Sequence, residues 1–263
     1  MKKILVMIAV ASTMILLFAS VSMATFINPV SWDGPGKELQ AVLDGLLVTP
    51  PPPSLVNASG AVNDALANDA IWAVQSSGGA VSTFIIQLTA YSPTESFGIF
   101  DATNAAKKVQ LFAGGAVPGS QTLLGIFLDG SIFINNVDTG IDFAGNAFGF
   151  YLGGAGANTF YSVDSLNIDG NDHMVAFRGN GKNIQLPNHL PGIFSPDEYI
   201  LAFEDLPWNN ANWNGAPGTD SDRDYNDTVV LVESINTIPE PGILILLGIG
   251  LSAVGILSRR IKL

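Results

Sequence analysis

The alternation of apolar segments with turn residues from residue 80 onward constrains the fold more than any other feature of the sequence. Short segments rich in Val, Ile, Phe and Thr alternate there with turns rich in Gly, Asn and Asp. Such segments favour β-strands. The pattern predicts strands near residues 81–91, 96–101, 108–113, 122–128, 131–136, 147–152, 158–162, 173–178, 198–204 and 227–234. Many short strands with little helix are typical of an antiparallel β-sandwich or jelly roll, and we predict a mainly β fold of that kind.

The residues before this region predict short helices and a spacer. Apolar residues at helical spacing indicate one short helix over 37–48 and another over 57–73. Four consecutive prolines at 50–53 favour a stiff polyproline segment. We therefore predict a Pro-rich N-terminal segment over 25–56, followed by a single β domain over 57–236. Within that domain, the turn Leu128-Asp129-Gly130-Ser131 joins two apolar runs and predicts a β-hairpin.

The N-terminus has the parts of a secretory signal peptide in their usual order. Lys2 and Lys3 precede an apolar stretch that ends near residue 18, and small residues then lead to Ala24. The apolar stretch is shorter than the roughly 20 residues of a lasting membrane span. We predict a signal peptide over 1–24, removed by signal peptidase during export. The alternative is an anchor helix that is never cut.

The C-terminal segment 237–263 also has three parts in a definite order. The motif Pro239-Glu240-Pro241 interrupts regular structure, because proline lacks an amide donor and restricts the residue before it. Residues 242–258 are almost wholly apolar, and Arg259-Arg260 follows them. An apolar helix followed by cations predicts a transmembrane helix whose basic end stays in the cytoplasm.

These three parts together resemble the PEP-CTERM sorting signal. The resemblance implies recognition by an exosortase in a Gram-negative envelope. It also implies transient anchoring in the inner membrane, followed by placement on the cell surface or in the extracellular matrix, close to exopolysaccharide. The alternative is a plain C-terminal anchor that is never processed.

Charge and cysteine content exclude several classes of protein. The sequence has no cysteine, so it has no disulfide framework and no thiol chemistry. Without the two predicted processed ends, 6 basic and 22 acidic residues remain, a net charge of −16. A surface so acidic repels nucleic acid and anionic lipid, and it attracts divalent cations.

The acidic residues are densest near the end of the predicted domain. Six carboxylates lie within 24 residues: Glu204, Asp205, Asp220, Asp222, Asp224 and Asp227. Converging anions repel one another unless a cation or hydrogen bonds compensate them, and Ca²⁺ accepts about six to eight oxygen ligands in flexible geometry. We predict a calcium site formed by these six residues. The alternative is a solvated loop whose aspartates cap their own turns.

Two related metal sites fit the sequence less well. Counted from Asp220, an EF-hand needs Gly at position six and Glu at position twelve, but Tyr225 and Leu231 stand there. A second group over 164–173 contains Asp169 and His173, and its simplest interpretation is a turn in which the histidine makes local hydrogen bonds. Two histidines and no cysteine argue against zinc.

The motifs Phe203-Glu204-Asp205 and Asp222-Arg223-Asp224-Tyr225-Asn226-Asp227 resemble the DUF4114 domain family. The resemblance covers roughly residues 145–235. It implies a β-rich extracellular module of the kind found in bacterial surface and adhesin-like proteins, for which no single biochemical role is defined.

We therefore expect an exported, non-catalytic, calcium-binding module that binds glycan or a surface partner. Trp208 and Trp213 are candidate glycan contacts, since their rings can stack on sugars, although the pattern favours the alternative that they anchor their loop to the domain. The alternative is a secreted polysaccharide hydrolase that uses paired carboxylates. The chain has neither a Gly-x-Ser-x-Gly nor a His-Glu-x-x-His motif, so we predict that it is not an enzyme.

Overall fold

The computed structural model describes residues 25–31, 34–75, 79–87, 95–153, 158–208 and 221–238, with the backbone alone over 79–87. These residues are mainly β, which confirms the predicted class. The predicted signal peptide, the sorting motif and the tail helix lie outside them. No helix within the described part of the chain is long and apolar enough to cross a membrane.

The described elements follow one another along the chain as short strands with little helix. In chain order they are α1 (Leu39–Asp44), β1 (Trp72–Val74), β2 (Gly79–Gln87), β3 (Ser96–Asp101), β4 (Asn104–Phe112), β5 (Gln121–Ile126), β6 (Ser131–Ile134), β7 (Val137–Asp142), β8 (Ala147–Gly153), β9 (Thr159–Tyr161), a 3₁₀ turn (Asp164–Leu166), β10 (Met174–Arg178), β11 (Asn183–Ile184), β12 (Gly192–Ile193), β13 (Glu198–Phe203), β14 (Thr228–Glu233) and β15 (Ile235–Thr237).

The described strands form two large sheets and one small ribbon, all with antiparallel pairing. One sheet has the order β15-β1-β8-β3-β4, and β9 also pairs with β8. The other sheet has the order β10-β13-β14-β2-β5-β6-β7. Strands β11 and β12 form the ribbon, and Ile184 of β11 also bridges to Leu47 in the N-terminal segment. Neighbours in both sheets are often distant in sequence, so the fold depends on long-range pairing.

Both large sheets contribute side chains to one central core. Trp72 and Phe150 from the first sheet and Tyr199 from the second are buried together. The Trp72 ring meets Phe150 and Tyr199 edge to face, with ring centroids 5.9 and 4.9 Å apart. Burial of such large aromatic surfaces is the main favourable term that holds the two sheets together.

A second core lies on the other face of β10, β13 and β14. Val175 and Ile200 point into it, whereas their neighbours Ala176 and Leu201 point into the central core. This alternation follows from the two-residue period of a strand. Apolar residues of the N-terminal segment 25–56 cover this face: Ile27, Leu39, Leu43, Leu46, Leu55 and Val56. The segment therefore packs on the sheet as part of the same compact unit, Ala24–Ile238.

The structure confirms some local predictions and overturns another. Helix α1 lies inside the predicted 37–48, and the predicted hairpin joins β5 to β6, with Gly130 at a φ of 93°. The predicted helix over 57–73 is wrong, because residues 57–71 contain no helix and β1 follows them. Trp72 pairs with Phe148 and Thr237 in the sheet, so its burial there decides the local conformation. Strands β1, β7, β11, β12 and β15 were not predicted.

Candidate metal centre

The pairing of β13 with β14 brings the two acidic motifs together. These strands are antiparallel, and Phe203 at the end of β13 lies opposite Thr228 at the start of β14. Glu204 and Asp205 follow β13 directly, and the acidic loop 221–227 precedes β14 directly. The two motifs must therefore meet at the same edge of the sheet, although about 20 residues separate them in sequence.

Three of the six predicted ligands converge at this edge. Carboxylate oxygens of Glu204, Asp222 and Asp224 all lie within 4.8 Å of one another. Glu204 and Asp224 are 1% and 0% exposed, and Asp222 is half-buried. We call these three residues the carboxylate trio. Oxygens at this spacing can share one cation, and without a cation they repel one another.

The backbone of the acidic loop holds the trio in place. Arg223 and Tyr225 have φ values of 60° and 56°, in the left-handed region that non-glycine residues seldom adopt. This alternation of conformations curls the loop around Glu204. The Tyr225 amide donates to Glu204 Oε1 at 2.6 Å, and the Ser221 hydroxyl donates to Glu204 Oε2 at 2.5 Å. These hydrogen bonds help to offset the conformational cost of the loop.

The electrostatics of the site follow from burial and from the number of anions. Burial raises the pKa of Glu204 well above its usual value, and the charges of Asp224 and Asp222 raise it further. Burial likewise raises the pKa of Asp227, with added effects from Asp205 and Glu204. The free energy of such a group falls when it takes up a proton or when a cation binds beside it.

The other predicted ligands stand at different distances from the trio. Asp227 accepts a hydrogen bond from the Asp205 amide at 2.8 Å, so these two residues adjoin the trio without belonging to the group within 4.8 Å. Asp220 lies outside the described residues, as does Trp213. The structure thus brings together half of the predicted ligand set.

Asn226 belongs to the site, and the sequence analysis did not single it out. Its side chain is buried, and Nδ2 donates to Asp224 Oδ2 at 2.5 Å, to Ser31 Oγ at 2.9 Å and to the Lys37 carbonyl at 2.7 Å. Its Oδ1 is buried and has no hydrogen-bond partner among the described residues. Its position inside the Asp-rich motif was the only sequence signal available.

The N-terminal segment also contacts the acidic loop directly. The Asn28 amide donates to the Arg223 carbonyl at 2.7 Å, and Asn28 Nδ2 donates to the Asp222 carbonyl at 2.8 Å. Residues nearly 200 positions away in sequence therefore fix the backbone of two loop residues. No local pattern in the sequence predicts these contacts.

In the second acidic group, over residues 164–173, His173 makes a local hydrogen bond, as the turn interpretation predicted. His173 Nε2 lies 3.0 Å from Asp169 Oδ2, and the Phe160 ring stacks on the imidazole at 4.1 Å. Burial alone would raise the pKa of Asp169, but hydrogen bonds from the Trp208 and Asn171 amides and from His173 lower it to about 2. Burial lowers the pKa of His173, which favours the neutral ring.

Two other carboxylates of this second group, Asp164 and Asp172, lie close to Asp69. Burial raises the pKa of Asp69 well above its usual value, and the charges of Asp172 and Asp164 add to the effect. Burial raises the pKa of Asp172 to about 6, with Asp164 contributing, although a hydrogen bond from Thr25 acts in the opposite direction. Asp69 lies about 100 residues before Asp172, and the sequence analysis did not connect them.

Trp208 has one face of its ring covered. The Arg223 guanidinium lies 4.3 Å from the ring centroid, and the ring packs against the second core. This arrangement is the one expected of a loop anchor, and it leaves less of the ring for a sugar.

Comparison with known proteins found no match to this chain. No protein-family model matches the chain, and neither a curated protein nor a solved structure matches it. The likeness to the DUF4114 family and to the PEP-CTERM signal therefore rests on the motifs quoted above.

Proposed function

We propose that this chain is an exported, non-catalytic module that binds calcium through the carboxylate trio. The observation that carries the proposal is the convergence of Glu204, Asp222 and Asp224 within 4.8 Å, two of them fully buried. Buried like charges at this spacing are costly, and a divalent cation relieves that cost. Oxygen ligands alone favour Ca²⁺ over zinc or copper.

Asn226 provides independent support for a cation at this site. Its Oδ1 is buried without a partner among the described residues, while Nδ2 of the same amide contacts Asp224. An unsatisfied buried carbonyl costs about 1–3 kcal/mol, and a cation would satisfy it. Carbonyl oxygens are common calcium ligands. We therefore include Asn226 in the proposed ligand set, with Asp205 and Asp227 as outer members. Asp220 stays in the proposal on the strength of the sequence alone.

The wider setting of the proposal comes from the sequence. The signal peptide and the PEP-CTERM-like tail support export, sorting by an exosortase and a final place on the cell surface or in the matrix. The two sheets with their shared core support assignment of the domain as a β-sandwich of the jelly-roll kind. The acidic surface supports a neutral or cationic partner such as exopolysaccharide, and it argues against nucleic acid.

Calorimetric unfolding of the mature chain tests calcium binding. A ligand that binds only the folded state stabilises it by RT ln(1 + [L]/Kd). Millimolar calcium on a micromolar site should add about 4 kcal/mol relative to EDTA. For a domain of this size that gain raises the melting temperature by about 8–16 °C.

Matched variants connect the effect to the trio. Asp222→Asn should remove most of the calcium-dependent rise, because it replaces a carboxylate ligand by an amide of the same size. Asp142→Asn, at an exposed position on β7, should leave the rise unchanged. Equal melting temperatures in calcium and EDTA for the unaltered protein would contradict the proposal, and magnesium in place of calcium would show whether the site is selective.

A further inference from the structure

Thr25, the residue that follows the predicted cleavage point, is half-buried against the folded domain. Its hydroxyl donates to Asp172 Oδ2, and its carbonyl accepts a hydrogen bond from Asn63 Nδ2 at 2.9 Å. Asn28, three residues later, is fixed to the carbonyls of Asp222 and Arg223. The first residues of the mature chain therefore have a defined position rather than a free end.

The surroundings of Thr25 are strongly anionic. Burial raises the pKa of Asp69, and the charges of Asp172 and Asp164 raise it further; burial and the charge of Asp164 likewise raise the pKa of Asp172. The buried Tyr225 hydroxyl donates to the Asp172 carbonyl at 2.8 Å. The charged groups that act on Asp69 and Asp172 are thus other carboxylates, and the surroundings of Asp172 favour a positive group.

The covalent geometry of threonine places the Thr25 nitrogen near the Asp172 carboxylate. In any staggered rotamer a threonine nitrogen lies about 3–4 Å from its own Oγ1. Because that Oγ1 is hydrogen-bonded to Asp172 Oδ2, the nitrogen lies no more than about 6 Å from the carboxylate. Opposite charges at about 4–6 Å shift each other's pKa values substantially.

We propose that cleavage after Ala24 creates an α-ammonium group on Thr25 that pairs with Asp172 and offsets the negative charge of Asp69, Asp164 and Asp172. Water adds across the Ala24–Thr25 peptide bond; the signal peptide leaves with a carboxylate, and the new amine takes up a proton. Before cleavage the same nitrogen is a neutral amide. Cleavage of the signal peptide thereby stabilises the N-terminal segment against the acidic loop. This inference rests on the export proposed above.

A bound metal ion explains this group less well than an ammonium does. Among the described residues, the three acids whose oxygens lie within 4.8 Å of one another are Glu204, Asp222 and Asp224, not Asp69, Asp164 and Asp172. An ammonium group on a residue whose hydroxyl is already hydrogen-bonded to a carboxylate needs only that one carboxylate at close range.

The test compares two mature proteins purified after export from a Gram-negative host. One has the natural sequence, and the other has two glycines inserted between Ala24 and Thr25, so that the ammonium is displaced from Asp172. N-terminal sequencing establishes the first residue of each. We expect the extended protein to have an unfolding equilibrium constant about tenfold larger at pH 7. The extra stability of the natural protein comes from the raised pKa of its α-amine. It is therefore present below the ordinary α-amine pKa of about 8, and it is lost as the pH rises through the raised value.

Asp172→Asn in both backgrounds separates the ion pair from steric effects. The tenfold difference should disappear when Asp172 is neutral. If Asp172→Asn fails to fold, the loss of the difference at high pH provides the same discrimination in the unaltered pair.

Three other outcomes would each overturn the inference, and they are distinguishable from one another. A first residue other than Thr25 overturns both the inference and the predicted cleavage. Thr25 as first residue, with equal stability of the two proteins, overturns the inference and leaves export standing. A difference that persists with Asp172→Asn, or at high pH, assigns the effect to packing and overturns the ion pair.

Discussion

Asn226→Ala tests how firmly the N-terminal segment is joined to the candidate site. One buried amide contacts Ser31, Lys37 and Asp224, which are three separate parts of the fold. The amide has only two hydrogens, so two hydrogen bonds are the most that it can make well at one time. The alanine variant loses both of these hydrogen bonds.

The magnitude follows from the chemistry of the two bonds. A neutral hydrogen bond contributes about 1 kcal/mol net, and one to a charged carboxylate contributes about 2 kcal/mol. We therefore expect Asn226→Ala to lower the free energy of unfolding by about 3 kcal/mol, measured in EDTA so that cation binding does not enter. For a domain of this size, the melting temperature should fall by about 6–12 °C.

Urea unfolding monitored by tryptophan fluorescence measures the change, and Asn236→Ala is the matched control. Asn236 is exposed on β15, so its substitution should change stability by less than about 0.5 kcal/mol. An Asn226→Ala variant as stable as the control would refute the reasoning, because it would show that the segment and the loop are held together by other contacts.

Two more predictions concern the turn and the central core. Asp169→Asn should cost about 1 kcal/mol at neutral pH, since solvent screening reduces the effect at this partly exposed carboxylate. The folded-state pKa of Asp169 is lowered to about 2, so this stability is present above its unfolded pKa and is lost as the pH falls through the folded value. Urea unfolding from pH 7 to pH 2 checks it, and a difference that does not shrink contradicts it. Phe150→Ala should cost about 3–5 kcal/mol by leaving a cavity in the core, whereas Phe127→Ala, 53% exposed, should cost far less; equal losses in chemical denaturation would be inconsistent with the core described here.

The prediction for residues 57–73 shows where local pattern fails. Apolar residues at helical spacing indicated a helix, but Trp72 lies in β1 and is 0% exposed between two sheet neighbours. Short apolar runs do not distinguish a helix from a buried strand. A strand of three residues has too little sequence to carry its own signal, and the same reason explains why β11, β12 and β15 were missed.

The candidate site was predicted in part, for a reason that its residues make clear. Glu204, Asp222 and Asp224 stand in two dense acidic motifs, and composition alone drew attention to them. Asn226 stands in the same motif but has no charge to mark it, and its role depends on contacts with Ser31 and Lys37. Polar residues that act through distant partners look ordinary in sequence.

By itself the sequence determined the mainly β class, the hairpin at Gly130 and the concentration of carboxylates before β14, because period-two patterning, turn chemistry and charge density are local properties. The tertiary structure alone decided the rest. Antiparallel register between β13 and β14 placed Glu204 beside Asp222 and Asp224, and long-range packing set Thr25 against Asp172. Such contacts join residues 17 to about 200 positions apart. Their free energy depends on how the whole chain closes, which no local window of sequence contains.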